Sequence, residues 1–222
     1  MKLAHFALDK PFIWRGDNVC TLVLEDGKFY RDTVLNLIEQ SYSGDGDFVL
    51  SENNEVLRFD KYVEVISDIF SVDASLNKTI VTGLQKDMAK YAQFEMSNEF
   101  TDVFGKLNHM LSRLSYASDF DVVFDDINDI AALLKLYRLR PDCDNLCWSE
   151  RFIMYMDLLR KYTKKQLFIA INLKSCFTAD ELNRFYKDII YHNLNFLSIE
   201  SHDIASSPLE LKKILDKDMC EL

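Results

Sequence analysis

Hydrophobic positions along this chain follow two periods. The N-terminal third is short-range and β-like. Val19–Leu24 (VCTLVL) is a nearly continuous apolar run, which predicts a strand buried on both faces. Two shorter candidate strands, Leu3–Leu8 and Phe12–Arg15, precede it around Asp9-Lys10-Pro11. After Gly27 the apolar residues Val34, Leu35, Leu37 and Ile38 take helical spacing, up to the turn residues Ser43-Gly44-Asp45-Gly46-Asp47. Phe48–Leu50 and Val56–Phe59 flank Asn53-Asn54 and predict a hairpin. Val63–Phe70 has a mixed period that fits a helix or a strand.

The period then changes. Leu76, Ile80, Leu84, Met88 and Tyr91 recur at helical spacing, as do Phe100, Phe104, Leu107, Leu111 and Leu114, so two long helices joined near Asn98 are expected. Ile130–Tyr137 is expected to be helical again, and Pro141 ends that stretch. Trp148–Tyr162 predicts a helix, and Leu167–Leu173 (LFIAINL) a buried strand. Thr178 and Glu181 have capping-box spacing at the start of a helix to about Tyr191. Asn193 supplies a turn before a strand over Leu194–Ile199. Strand–helix–strand of this length is a βαβ unit with a parallel sheet. The predicted fold is therefore α/β. Residues 1–72 and 141–222 form a head domain with a parallel-containing sheet, and residues 73–140 an inserted α-helical leg.

Charge complicates any functional reading. The chain carries 26 basic and 36 acidic residues, a formal net charge of −10. The first 72 residues hold 7 basic against 13 acidic, and neither later segment is net basic, so the electrostatic footprint of a nucleic-acid binder is missing. The start, MKLAHFALDKPFIW, lacks the basic and apolar regions of a signal peptide. No apolar run approaches the roughly 18 residues of a membrane span. Five cysteines, an odd count without a leader, are expected as reduced thiols in a cytoplasmic protein. Cys143 and Cys147 are a C-x3-C pair, but two further zinc ligands with recognisable spacing are missing.

Chemistry-bearing motifs are few. Glu25-Asp26-Gly27-Lys28 follows the Val19–Leu24 strand where a nucleotide-binding fold places its phosphate loop. It keeps one glycine and one lysine and adds two carboxylates that repel phosphate. Asn172 stands near a strand end where an ATPase needs a magnesium-holding Asp. The histidines are scattered and no nucleophile elbow occurs, so no enzyme activity is expected. Asp119, Asp121, Asp125, Asp126 and Asp129 lie in one stretch without a basic residue. In a helix, Asp121, Asp125 and Asp129 would stack like charges on one face, which a hard cation would relieve. The plain alternative is a solvated acidic helix start. Lys135, Arg138 and Arg140 close one helix, and Arg160, Lys161, Lys164 and Lys165 another. Cations there suit the helix dipole, with nucleic-acid contact as the second reading.

Read end to end, the chain resembles the DNA-end-binding ring proteins of type II-A CRISPR adaptation. The resemblance rests on the Met1-Lys2-Leu3 start reaching Pro11 through a hairpin, on VCTLVLED from Val19 to Asp26, and on the helical insert with its acidic break. Its most specific part is QLFIAINLKSCFTADELNRFYKDIIYHNLNFLSIES from Gln166 to Ser201. The resemblance implies a head of degenerate P-loop ATPase type and a homotetrameric ring. It implies sequence-independent binding of linear double-stranded DNA ends during spacer acquisition, beside the adaptation integrase proteins and the RNA-guided effector nuclease. It also implies Ca2+, carried here onto Asp119, Asp121, Asp125, Asp126 and Asp129. Lys28, Lys135, Arg138, Arg140 and Lys174 are the DNA-contact candidates. The alternatives left open are a P-loop-related nucleotide-binding regulator and a protein-only adaptor of the CRISPR complex.

Overall fold

A computed structural model describes residues 1–125, 129–204 and 207–222. The chain divides into two compact units, one of Met1–Ala74 with Asp144–Leu222 and one of Ser75–Cys143.

The first unit holds two sheets. Strands β1 (Lys2–His5), β2 (Phe12–Ile13), β4 (Phe48–Glu52) and β5 (Glu55–Val56) form an antiparallel sheet in the order β2-β1-β4-β5. The first candidate strand is shorter than its apolar run: the chain turns at His5, where Leu8 N–H donates to the His5 carbonyl at 3.0 Å and Ala7 N–H to His5 Nδ1 at 3.3 Å. The β4–β5 hairpin turns on Asn53 and Asn54, both at positive φ, as a primed turn requires. Its second arm is only Glu55–Val56, and Phe59 opens the single-turn helix α2 (Phe59–Tyr62).

The larger sheet is parallel throughout. Strands β3 (Val19–Leu24), β6 (Val63–Ile66), β7 (Leu167–Ile171), β8 (Asn195–Glu200) and β9 (Glu210–Leu215) lie in the order β6-β7-β8-β3-β9. The ambiguous segment after Tyr62 is thus a strand, paired with Leu167–Ala170. Every residue of β3 and β7 is buried, as their unbroken apolar sequences demand. Strand β9 was not anticipated from the sequence.

Period-two alternation assigns the sheet's faces. Cys20, Leu22, Leu24, Leu167, Ile169, Leu197 and Ile199 share a core with Leu3, Phe12 and Phe48 of the small sheet and with Leu37 of helix α1 (Gly27–Ser43). On the other face Phe196 packs edge-on against Phe152 and Phe185, ring centroids 6.3 and 5.8 Å apart. These belong to helices α6 (Trp148–Tyr162) and α7 (Ala179–Tyr191). The α7 capping box forms as the sequence predicts: Glu181 N–H donates to Thr178 Oγ1, and Thr178 N–H to Glu181 Oε2 at 2.9 Å.

The second unit consists of helices α3 (Lys78–Glu95), α4 (Ser97–Ser115) and α5 (Ile130–Leu136). Asn77 caps α3 by accepting from Thr79 and Ile80 N–H. A single residue, Met96, separates α3 from α4. Ala89, Ala92, Phe104 and Ile130 form the small core of this unit.

Gln40, near the end of α1, fastens this helix to β4. Its buried amide donates to the Phe48 carbonyl at 2.6 Å and accepts from Phe48 N–H at 3.1 Å. Gln40→Ala leaves both backbone groups buried and unpaired, and is expected to lower unfolding stability by about 1–3 kcal/mol. Urea denaturation checks this; an unchanged midpoint would mean that water replaces the amide.

Candidate functional site

In an open α/β sheet, ligands bind beyond the carboxyl ends of the strands, where the order of strands reverses. Here that point is β3, which lies between β8 and β9 and feeds directly into α1. The residues at this edge decide what the crevice can hold.

The loop after β3 is not a phosphate cradle. Asp26 is the N-cap of α1, its Oδ1 accepting from Phe29 N–H at 2.7 Å, which occupies a donor that a phosphate would use. Gly27 has no positive φ, and a Cβ added to it meets nothing within 4 Å. Nothing in the backbone here calls for glycine. Glu25 and Lys28 are both exposed.

Behind the loop lies a buried polar cluster. Lys174, in the 3-10 turn Lys174–Cys176 after β7, places Nζ 2.7 Å from Glu210 Oε2 and 3.0 Å from Oε1, with both side chains essentially inaccessible. Glu210 Oε2 also accepts from Thr21 Oγ1 at 3.1 Å, and Oε1 from Ser207 N–H at 3.3 Å. Glu200, at the end of β8, is fully buried; its Oε1 accepts from Lys174 N–H at 3.0 Å and from the Ser198 hydroxyl. Its Oε2 has no hydrogen-bond partner among the described residues. Burial pushes the Glu200 carboxyl above its ordinary range, against the opposing pull of Ser198 and of the Lys174 backbone and charge. Burial also raises the Tyr30 phenol, helped by the Glu200 charge and opposed by its hydrogen bond to Asn172. Asn172 takes a left-handed φ of 51° and accepts from Ser201 N–H at 3.3 Å, so its side chain ties β7 to β8.

The sequence-derived candidates separate on this structure. Lys174 is a correction: its ammonium lies inside the protein against Glu210 and is not presented to DNA. Lys28 is exposed in the first unit. Lys135, Arg138 and Arg140 are exposed around the C-terminal end of α5, where Arg138 at φ 53° ends the helix and the Leu139 carbonyl accepts from Gln85 at 3.0 Å. The other basic cluster is structural in part. Arg160 pairs with Asp157 and donates to the His192 and Asn193 carbonyls, and Lys165 pairs with Glu64.

Asp121 and Asp125 do not lie on a helix. Residues 119–125 contain no helix, and like charges at that spacing oppose one. Asp119, Asp121 and Asp125 are exposed, Asp126 lies outside the described residues, and Asp129 caps α5 by accepting from Ala131 N–H at 2.8 Å. Carboxylates suit a hard cation chemically. Yet no three His, Cys, Asp or Glu side chains among the described residues stand together as a metal site, the Cys143–Cys147 pair included. The described aspartates are not gathered into a preformed calcium cage.

The buried cluster yields two tests. Lys174→Met strands the Glu210 carboxylate, and a loss of about 3–5 kcal/mol is expected in chemical denaturation. Because folding raises the Glu200 pKa, its contribution is fully present below the unfolded carboxyl value and is lost as pH rises through the folded value. Glu200→Gln is therefore expected to raise the melting temperature at pH 8 and to flatten its fall from pH 5. An unaltered pH profile would show that Glu200 ionises without cost.

The family model "CRISPR-associated protein (Cas_Csn2)" matches residues 40–219. No curated protein matches the chain. Among solved structures, a protein assigned as an ATP-binding ABC transporter of Pyrococcus furiosus aligns with 96% of this chain and 97% of its own at 12% identity and a TM-score of 0.39, a distant resemblance. No helix among the described residues is long and apolar enough to cross a membrane. With the family match running from within α1 through β9, the chain belongs to the Cas_Csn2 family of CRISPR-associated proteins.

Proposed function

We propose that this protein binds the ends of linear double-stranded DNA, independently of sequence and with calcium, as a homotetrameric ring acting during CRISPR spacer acquisition. The family match over residues 40–219 carries this reading. It is supported by a switch-point crevice in which Asp26 and Glu25 replace a phosphate cradle, which argues against a nucleotide-driven or catalytic role. The adaptation integrase proteins and the RNA-guided effector nuclease are the expected partners, in the cytoplasm.

Phosphates would be met by the exposed cations Lys28, Lys135, Arg138 and Arg140. Such contact neutralises backbone charge, reads no bases and weakens steeply with salt. Calcium would be held by Asp119, Asp121 and Asp125, with Asp126 and Asp129 as further donors. Since the described carboxylates are not gathered, the ion would have to draw them together, so binding and local ordering would be coupled.

Retention of linear but not sealed circular duplex, abolished by chelation, is the expected result in gel shifts; equal binding of circles would contradict end threading. Native mass should give four chains. Combined Lys135→Ala, Arg138→Ala and Arg140→Ala should weaken binding and make the salt slope shallower by roughly one unit for each phosphate left without its cation. The net charge of −10 favours the protein-only adaptor as second reading. Failure of the purified protein to shift DNA at low salt with calcium would favour it. Saturable ATP binding in calorimetry would revive the nucleotide alternative.

A further inference from the structure

Helices α6 and α7 leave between them a groove of about 460 Å³ on the first unit, away from the switch-point residues described above. Its floor includes Ile153, Met154 and Leu158, which α6 places one turn apart or adjacent along the same side. Glu150, Asp157 and Asp188 supply carboxylates to its lining.

Two cations of α6 are engaged elsewhere, and Arg184 and Lys187 of α7 are not part of the lining. Arg151 Nε donates to the Leu146 carbonyl at 3.0 Å. Arg160 pairs with Asp157 at 2.8 Å while donating to the His192 and Asn193 carbonyls. Asp157 also meets His192 Nδ1, so its charge is answered within the protein. Glu150 and Asp188 remain as exposed carboxylates of the lining. Glu150 Oε2 accepts from Cys147 N–H at 2.8 Å, which favours its ionised form. The His192 ring lines the groove, and Tyr191 lies against it with centroids 5.4 Å apart and its own ring 86% exposed. An exposed aromatic face beside carboxylates is suited to a guanidinium or ammonium.

We propose that this groove is a docking site for a protein partner that inserts an arginine or lysine flanked by apolar side chains, as an amphipathic basic segment presents them. The charge selects the occupant. Nucleic acid would be repelled by Glu150 and Asp188, and a purely apolar ligand would strip water from those carboxylates without answering their charge. A basic side chain lays its aliphatic stem on Met154 and Leu158 while its head meets Asp188 and the Tyr191 ring. Tyrosine, methionine and arginine are residue types enriched at such interfaces.

The test uses the full chain and a fluorescent synthetic amphipathic helix of leucine and lysine, with a leucine–glutamate helix as comparison. Anisotropy is expected to show saturable binding of the basic helix only. Asp188→Lys and Leu158→Arg should each weaken it by about tenfold or more, as removal of a central contact does. Asp102→Lys, the same charge change in the helical unit, should alter it by less than about twofold. Should Leu158→Arg fail to fold, Tyr191→Ala, at an exposed position, carries the apolar arm, with a several-fold loss expected. Equal weakening by Asp102→Lys would reduce the effect to diffuse electrostatics and overturn the proposal. So would absence of binding, or a change of native mass in Asp188→Lys without peptide, which would make the groove an interface between copies of this chain. None of these outcomes depends on DNA binding.

Discussion

The Lys174–Glu210 ion pair is the constraint on which the tie between β7 and β9 depends. Two charged groups lie out of water, and their attraction is worth having only because Thr21 and Ser207 donate to the same Glu210 carboxylate. The pair joins the turn after β7 to Glu210, the first residue of the edge strand β9, which lies opposite Val19 at the amino end of β3. The carboxyl end of β7 is thereby tied to the amino end of β9. In a nucleotide-binding protein the carboxyl edge of the sheet is held open for phosphates. Here Asp26 is seated on the helix start and the Glu200 carboxyl is buried at the end of β8.

That pairing explains why Lys174 looks like a DNA contact in the sequence and is none in the fold. It follows a strand and precedes a capped helix, a common place for a phosphate-contacting lysine. Its partner, Glu210, is 36 residues away on a strand that the hydropathy pattern does not reveal. The β9 sequence ELKKIL carries two lysines in a row, which argues against a strand on hydropathy alone. In the fold, Lys213 holds its ammonium over the Phe12 ring and donates to the Lys10 carbonyl, while Lys212 pairs with Asp203. Both charges are met from outside the strand, so the local sequence holds no trace of why they are tolerated.

Elements with continuous or strongly periodic apolar patterns were legible. Val19–Leu24 and Trp148–Tyr162 occupy the residues the pattern assigns, because burial on two faces or one stripe dictates their sequence directly. The Thr178–Glu181 box was legible because its chemistry is local. The acidic stretch was open to two readings. Its i, i+4 spacing suggests a helical face, yet three aspartates with no compensating cation penalise the helix that would align them. Only Asp129, where a carboxylate favours a helix start, is integrated into regular structure among the described aspartates of that stretch.

The engagement of so many cations bears on how an anionic chain could hold DNA. Of 26 basic residues, several of the most suggestive are paired inside the fold: Lys165 with Glu64, Lys174 with Glu210, Lys213 with Glu221, Arg160 with Asp157. The positive charge left for phosphates is smaller than composition implies. A single chain would then bind duplex weakly, and each extra phosphate contact would add affinity only at low salt. On the proposed reading, useful binding must come from repetition and from charge brought by a metal. Four copies multiply the cations offered by Lys135, Arg138 and Arg140, and each calcium offsets two of the carboxylates that would otherwise repel the strand. Retention would then follow from enclosure more than from contact strength, which is the arrangement an acidic protein needs if it is to hold DNA without reading it.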